Sequence, residues 1–404
     1  MKKIFSNLIY LAIIIYGVEI LLFIFSSDLQ KSLVNIHGQR IEIAKKNNLN
    51  YDPRDPETVF LEKQKHIKDL SVSFYYSPLF SNFKTFIKAQ ENNEIIPFRG
   101  PINKKNLSCA EDLNYKIINN DKYGFKNSNS IYENKIDVIL LGGSFAEGFC
   151  FKGKDDIAGN LIKEDIQTLN LGVATTGPII SLAVLKEFAP ISKPKNVFYL
   201  YYESNSLKVL NWESKDKKLM KYLNYGYKQD YIKNIDEIKN FLELAEKESI
   251  EIVKRKVQSN KTEENSRLKD YYKNIQDILE IKILKSRLRM LFNFKKDNYD
   301  LELFYKIITD MNKETNKNGG KFTFVYIPSW DRFFDSSSNL HSIINLREEI
   351  IENLKDKKID IIDTTDHFFN TKNLADYYPL GYVGHFNKKG YKEVADILKK
   401  KISN

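Results

Sequence analysis

Ser144 is the residue whose type and position first suggest chemistry in this sequence. It follows a nearly all-apolar segment, residues 136–141, after the pair Gly142-Gly143. Such a segment is typical of a strand that is buried on both faces of a parallel sheet. A serine on a tight turn at the carboxyl end of such a strand is a candidate nucleophile, although Gly-Gly-Ser also occurs as a simple turn.

A serine hydroxyl needs a general base to become nucleophilic near neutral pH, and the chain has 5 histidines. His385 stands in a glycine-bearing loop just before a predicted carboxy-terminal helix, residues 388–402. A loop at the edge of the sheet can bring that imidazole to Ser144. A surface or packing role is the alternative for any single histidine. The histidines besides His385 are His37, His66, His341 and His367.

Two further segments offer hydrogen-bond donors at the ends of predicted strands. Residues 170–178 follow the second strand, and their backbone amides could point into the same crevice as Ser144. Asn205 follows the third strand and offers a side-chain amide. An acyl-transfer site needs such donors for the oxyanion that develops during the reaction. Each segment taken alone could also be a turn.

The order of apolar and amphipathic segments predicts an α/β fold with a parallel sheet, because strands and helices alternate. The predicted strands are residues 136–141, 168–171, 197–202, 322–327 and 359–362. Helices are predicted between them, including residues 157–164, 180–188 and 344–356. Residues 207–299 are predicted to be a helical insertion, which is either a solvated cap or a lid over the substrate.

The amino terminus predicts an uncleaved signal anchor over residues 1–28. Lys2 and Lys3 precede residues 8–25, an apolar run with one charge, Glu19. This run is long enough to cross a bilayer as a helix, and the lysines favour a cytoplasmic amino end. No small-x-small cleavage site follows. The rest of the chain is then expected outside the cytoplasm. Residues 29–130 are predicted to be a juxtamembrane helix (residues 29–46) and an irregular extension that packs on the core, and residues 131–404 the α/β domain.

The two cysteines, Cys109 and Cys150, fit an oxidising compartment, where a disulfide is favoured over free thiols. They form no close CxxC pair, and no cluster has the spacing of metal ligands, so neither a metal nor a cofactor is predicted. The net charge of +10 is spread over lysines with acidic residues between them. That pattern disfavours nucleic-acid binding and is typical of a solvated surface.

Taken in order, these blocks resemble the SGNH/GDSL hydrolase family. Gly142-Gly143-Ser144 is similar to the family's first block, the loop from Gly172 to Gly177 to the second, Asn205 to the third and His385 to the fourth. The broader layout resembles the membrane-anchored members that occur among bacterial polysaccharide genes.

The resemblance implies a flavodoxin-like three-layer α/β/α fold and ester hydrolysis or acyl transfer. Ser144 would be the nucleophile, His385 the base, and the backbone amides of Ser144 and Thr175 with the Asn205 amide would hold the oxyanion. Tyr382 occupies the position of the family's acid, three residues before the histidine. Asp376, Asp363 or Asp366 is a possible third member, or a backbone carbonyl orients His385 in a dyad.

The sequence therefore predicts a serine esterase outside the cytoplasm that acts on acyl esters, with O-acetyl esters of a cell-surface polysaccharide as the favoured substrate. Two alternatives stay open. One is an O-acyltransferase, and the other is a non-catalytic protein of the same fold that binds glycan or scaffolds polysaccharide assembly. An intact Ser144–His385 hydrogen bond would favour an enzyme.

Overall fold

A computed structural model describes residues 2–25, 36–75, 95–151, 154–262, 299–334 and 341–403, and the statements below refer to these residues. Its helices are α1 (Lys2–Phe25), α2 (Ile36–Lys46), α3 (Pro56–Gln64), α4 (Ser144–Glu147), α5 (Ile157–Ile162), α6 (Pro178–Ser192), α7 (Ser206–Glu213), α8 (Lys217–Met220), α9 (Ile235–Thr262), α10 (Leu301–Lys317), α11 (Asp331–Phe334), α12 (His341–Ile344), α13 (Arg347–Asp356), α14 (Thr365–Phe369) and α15 (Lys388–Ser403). Its strands are β1 (Leu70–Ser71), β2 (Phe74–Tyr75), β3 (Arg99–Gly100), β4 (Lys105–Leu107), β5 (Ile117–Asn119), β6 (Val138–Gly142), β7 (Thr168–Asn170), β8 (Asn196–Tyr202), β9 (Lys321–Ile327) and β10 (Asp360–Asp363).

The last five strands form one parallel sheet in the order β10-β9-β8-β6-β7. The prediction of an α/β fold with a parallel sheet is confirmed, and each predicted strand is present with its ends shifted by at most two residues. In the order of the chain this sheet reads 2-1-3-4-5, the flavodoxin-like arrangement. The order in which strands are added to the sheet reverses between β6 and β8, so the crevice for a ligand is expected beyond the carboxyl ends of these two strands.

Helices cover both faces of the sheet because each central strand is apolar on both sides. In β6, Ile139 and Leu141 belong to one hydrophobic core, and Val138 and Leu140 to the other. Helices α6, α10 and α13 contribute to the first core, and α5 and α15 to the second. The result is three layers, in which neighbouring residues of one strand face opposite helices.

The segment before the domain forms two small sheets instead of one irregular stretch. Strands β1, β4 and β5 form the first, and β2 pairs with β3 in the second. Helix α2 covers residues 36–46 of the helix that was predicted over residues 29–46, and residues 29–35 lie outside the described residues. The predicted insertion is helical in α7, α8 and α9, whereas residues 263–298 lie outside the described part.

Helix α1 covers most of the predicted anchor. Within the described residues, no helix is both long and apolar enough to cross a membrane. Inside α1, side chains are described at residues 10–21, where Glu19 is buried. The side chains of residues 1–9 and 22–28, which also belong to the predicted anchor, lie outside the described part.

A buried ion pair joins the amino-terminal extension to the α/β domain. Arg99 is fully buried, and its Nη2 atom lies 2.7 Å from Oε1 of Glu147, which is 3% exposed. Arg99 also donates to Asn120 Oδ1 at 2.7 Å and to the carbonyl oxygen of Gly124. The second oxygen of Glu147 accepts the backbone amide of Ala174 at 2.6 Å. One carboxylate on α4 therefore holds both the extension and the loop after β7.

We predict that Glu147→Gln destabilises the protein by about 3–5 kcal/mol, because it leaves the Arg99 guanidinium buried without its counter-charge. Denaturant unfolding of the full chain measures this loss. Lys392→Ala is the matched control, because it breaks an exposed pair with Asp396 that is worth about 0–1 kcal/mol. Equal losses of unfolding free energy in the two variants would contradict the prediction that the Arg99–Glu147 pair is the stronger one.

Candidate active site

The nucleophile turn places Ser144 at the first position of helix α4. Gly142, two residues before Ser144, has a φ of +133°, and a side chain there would collide with the carbonyl oxygen of Leu200 on the neighbouring strand. Glycine is needed at such a conformation because it has no Cβ atom. The helix ends after one turn at Gly148, whose φ is +69°. Ser144 is therefore held at the carboxyl edge of the sheet by a turn that neighbouring residues fix.

His385 lies directly against this serine. Its Nε2 atom is 2.7 Å from the Oγ atom of Ser144, a hydrogen-bond distance. The imidazole lies between the rings of Phe145 and Phe149, at centroid distances of 5.1 and 5.2 Å, and its side chain is 19% exposed. Asn387 anchors the loop by donating to the carbonyl oxygen of Asp376 at 2.7 Å. The structure thus brings together the two residues that the sequence proposed as nucleophile and base.

The carboxylate on the other side of the imidazole belongs to Glu111, in the amino-terminal extension. Its Oε2 atom lies 3.1 Å from Nδ1 of His385 and accepts the backbone amide of the same residue at 2.8 Å. Ser144, His385 and Glu111 therefore form one chain of hydrogen bonds. A carboxylate in this position holds the imidazole in the tautomer that accepts a proton at Nε2, and it stabilises the imidazolium that results.

Glu111 is ionised although it is nearly buried. Burial by itself would raise its pKa, but the charge and the hydrogen bonds of His385, together with the charge of Arg40, lower the pKa of Glu111 to about 2. Its side chain is 10% exposed. A buried carboxylate keeps its charge only where such partners compensate for lost hydration. The site therefore has a negative charge behind its histidine at neutral pH.

The expectation that an aspartate after the last strand supports His385 is wrong for all three candidates. Asp363 pairs with Arg347 at 2.6 Å, and Asp366 is 85% exposed and 3.5 Å from the same arginine. The Asp376 carboxylate faces Lys389 at 3.5 Å. Each of these side chains has its own partner, and the Nδ1 position is occupied by Glu111.

Sequence reasoning missed Glu111 because that residue precedes the α/β domain. One signal was present in the sequence: Glu111 lies two residues after Cys109, and Cys109 forms a disulfide with Cys150, six residues after Ser144. The two sulfur atoms and a carboxylate oxygen of Glu111 lie within 4.8 Å of one another. Because the disulfide holds Cys109 beside Cys150, a residue close to Cys109 in the sequence must also lie near the nucleophile loop.

The loop after β7 lies beside the nucleophile turn, where the sequence predicted oxyanion donors. A Cβ atom on Gly143 would be 3.4 Å from the carbonyl oxygen of Thr176, and one on Gly172 would collide with the backbone of α4. Thr175 has a φ of +62°, a region that a β-branched residue rarely adopts. This conformation occurs where the surrounding contacts hold the backbone in place.

Buried carboxylates fix this loop on both sides of Thr175. Glu147 accepts the amide of Ala174, and Glu213 on α7 accepts the amides of Gly177 and Ile179 at 2.6 and 2.9 Å. Burial raises the pKa of Glu213 to about 7, although these backbone hydrogen bonds act in the opposite direction. The loop therefore has a fixed course past Ser144, as an oxyanion hole requires.

Asn205 lies at the carboxyl end of β8, on the other side of the nucleophile strand. It is exposed and precedes α7. Tyr202, three residues earlier, stacks on Phe145 with a centroid distance of 4.1 Å, so this strand end adjoins the nucleophile helix. The oxyanion roles of Ser144, Thr175 and Asn205 stay predictions.

We predict that Glu111 makes the stability of the protein depend on pH in the acid range. Its pKa is about 2 in the folded chain and near 4.5 when unfolded, so its contribution is complete above pH 4.5 and is lost as the pH falls towards 2. The difference in unfolding free energy between the wild type and Glu111→Gln should shrink over that interval. Denaturant titrations at several pH values measure it, and a constant difference would contradict the prediction.

Comparisons with known proteins leave the family of the chain open. No family model matches it, and no curated protein matches it. Among solved structures, an inferred acylhydrolase from Bacteroides fragilis is 11% identical, with 67% of this chain and 88% of that chain covered and a TM-score of 0.35. A member of the lipolytic G-D-S-L family from Veillonella parvula is 10% identical, with 66% and 97% covered and a TM-score of 0.34. A GDSL-like lipase from Bacteroides thetaiotaomicron is 12% identical, with 67% and 89% covered and a TM-score of 0.33. At these scores the likeness carries no argument about function.

Proposed function

We propose that this chain is a serine ester hydrolase. The observation that carries the proposal is the hydrogen-bonded chain from the Ser144 hydroxyl through His385 to Glu111. The sequence alone left the third position open, and that gap was the main support for a non-catalytic glycan-binding or scaffolding protein. With a carboxylate at Nδ1, the three residues have the arrangement of a nucleophile, a base and an orienting acid.

The reaction would proceed through an acyl-enzyme. Ser144 Oγ attacks the ester carbonyl carbon while His385 Nε2 takes the hydroxyl proton, which forms a tetrahedral oxyanion. The backbone amides of Ser144 and Thr175 and the Asn205 side chain are the proposed donors to that oxyanion. As the bond to the alcohol breaks, His385 returns the proton to the leaving oxygen. Water, activated by the same imidazole, then attacks the acyl-enzyme and releases the carboxylic acid.

For the substrate we propose acyl esters, with O-acetyl groups of a cell-surface polysaccharide as the favoured class. The polysaccharide part rests on the resemblance of the sequence to anchored SGNH proteins. If a sugar hydroxyl instead of water attacked the acyl-enzyme, the same residues would carry out O-acyl transfer, because the first half of the reaction is identical.

The proposal is tested with the full chain in detergent, p-nitrophenyl acetate and an acetylated polysaccharide. We expect Ser144→Ala and His385→Ala each to lower acetate release on the order of a thousandfold or more, and Glu111→Gln by roughly 10²–10⁴-fold. Asp376→Asn is the matched control and should leave the rate unchanged. Activity that survives Ser144→Ala would be adventitious, and a folded wild type without activity on either ester would reject hydrolysis.

We also propose that the domain lies outside the cytoplasm. This location is supported by the Cys109–Cys150 disulfide and by the apolar run of residues 8–25 after Lys2 and Lys3. Large apolar side chains of α1, such as Ile13 and Ile14, are more than half exposed, which suits a lipid or protein environment.

We predict that protease added to intact spheroplasts of an expressing bacterium digests the α/β domain, because the domain would face outwards. Immunoblotting against the carboxy-terminal helix measures its loss. A cytoplasmic marker protein is the control for intact cells. A domain that is digested only after lysis would contradict the proposed location.

A further inference from the structure

Arg40, on helix α2 of the amino-terminal extension, lies behind the carboxylate of the site. Its side chain is 10% exposed, and its Nη2 atom is 3.2 Å from Oε1 of Glu111. The same nitrogen donates to the carbonyl oxygen of Val383 at 2.8 Å. One guanidinium group therefore contacts both the acid and the loop that carries the base.

The two oxygens of Glu111 have different partners. Oε2 accepts from the backbone amide and the ring of His385, while Oε1 faces Arg40. Rotation of the Glu111 carboxylate would break its contacts with His385 and with Arg40 at the same time. Arg40 also contributes to the lowered pKa of Glu111, so it helps to keep this buried group charged. Arginine suits such a bridge because its planar group presents several donors in fixed directions.

Gly384 gives an independent indication that the arrangement is tight. A Cβ atom at this position would lie 2.7 Å from Nη2 of Arg40 and 2.9 Å from Oε2 of Glu111. Real Cβ atoms do not approach polar atoms so closely, so the absence of a side chain lets the loop pack onto the ion pair. Gly384 lies between Val383 and His385, the two residues that Arg40 and Glu111 hold.

We propose that Arg40 is a positioning residue for the reaction: by bridging Glu111 to the loop at Val383, it holds His385 in its Nδ1–H tautomer and in reach of Ser144. This inference rests on the proposed function. If Arg40 has this role, helix α2 is part of the catalytic unit, because Glu111 is correctly placed only when the amino-terminal extension is docked on the α/β domain. Arg40 itself has no contact with the reacting atoms.

Kinetics and NMR of the full chain in detergent test this proposal. Arg40→Met should lower kcat for p-nitrophenyl acetate by about 10–100-fold with little change in KM, because misplacement of the acid impairs the chemical step and leaves substrate binding intact. Arg40→Lys should fall between wild type and Arg40→Met, since an ammonium can pair with Glu111 without also holding Val383. Arg54→Met is the matched control, because Arg54 makes exposed pairs with Asp52 and Glu62 in the same extension.

The second readout does not require activity. In ¹⁵N-histidine-labelled protein, the His385 signals, assigned with His385→Ala, should show one tautomer in the wild type and a mixture in Arg40→Met. A purely stabilising role would lower the melting temperature of Arg40→Met and leave its spectrum and kcat unchanged, which would overturn the proposal. If Arg40→Met does not fold, a wild-type kcat and spectrum in Arg40→Lys would overturn it equally.

These outcomes separate the inference from the proposed function. Loss of activity in Ser144→Ala together with full activity in Arg40→Met rejects only the role of Arg40. A wild type without esterase activity rejects the function, and the NMR spectra then decide whether Arg40 still orders His385. Gly384→Ala should shift the same His385 signals, because its methyl group would displace the arginine and the carboxylate.

Discussion

The buried carboxylate of Glu147 is the interaction on which the rest of the structure depends. It lies on α4, one turn after Ser144, and it pairs with Arg99 of the extension and with the amide of Ala174. Neither charge could be buried alone without a large cost in hydration free energy. Three parts of the chain are therefore fixed to one another: the nucleophile helix, the loop beside it and the extension that carries Glu111.

The site is divided between two parts of the chain. Ser144 and His385 belong to the α/β domain, whereas Glu111 and Arg40 come from the extension. The disulfide between Cys109 and Cys150 connects these parts covalently, next to the carboxylate of Glu111. Catalytic groups must be held to a fraction of an ångström to act together. The buried ion pair and the disulfide supply that rigidity where the two parts meet.

Alternating partners along the site keep its charges compensated. Arg40 faces Glu111, Glu111 faces His385, and His385 faces the neutral hydroxyl of Ser144. Two aromatic rings, those of Phe145 and Phe149, shield the imidazole from water. In such surroundings a hydrogen bond is stronger than in water, and a missing partner is more costly. Each member of this chain of contacts is therefore expected to be sensitive to substitution.

The parallel sheet could be predicted from the sequence, because continuous apolar runs with helical segments between them leave few other folds. Ser144 and His385 could be proposed as nucleophile and base because each stands in a glycine-bearing loop at a strand or helix boundary. The disulfide could be predicted from the compartment that the amino terminus indicates for the two cysteines. Glu111 became the candidate acid only through its contact with His385 in the tertiary structure. Glu111 is far from His385 along the chain, and no local sequence pattern distinguishes it from the other glutamates. Its position beside His385 arises from long-range contacts, namely the disulfide, Arg40 and the docked extension, and these depend on packing rather than on the period of any single segment.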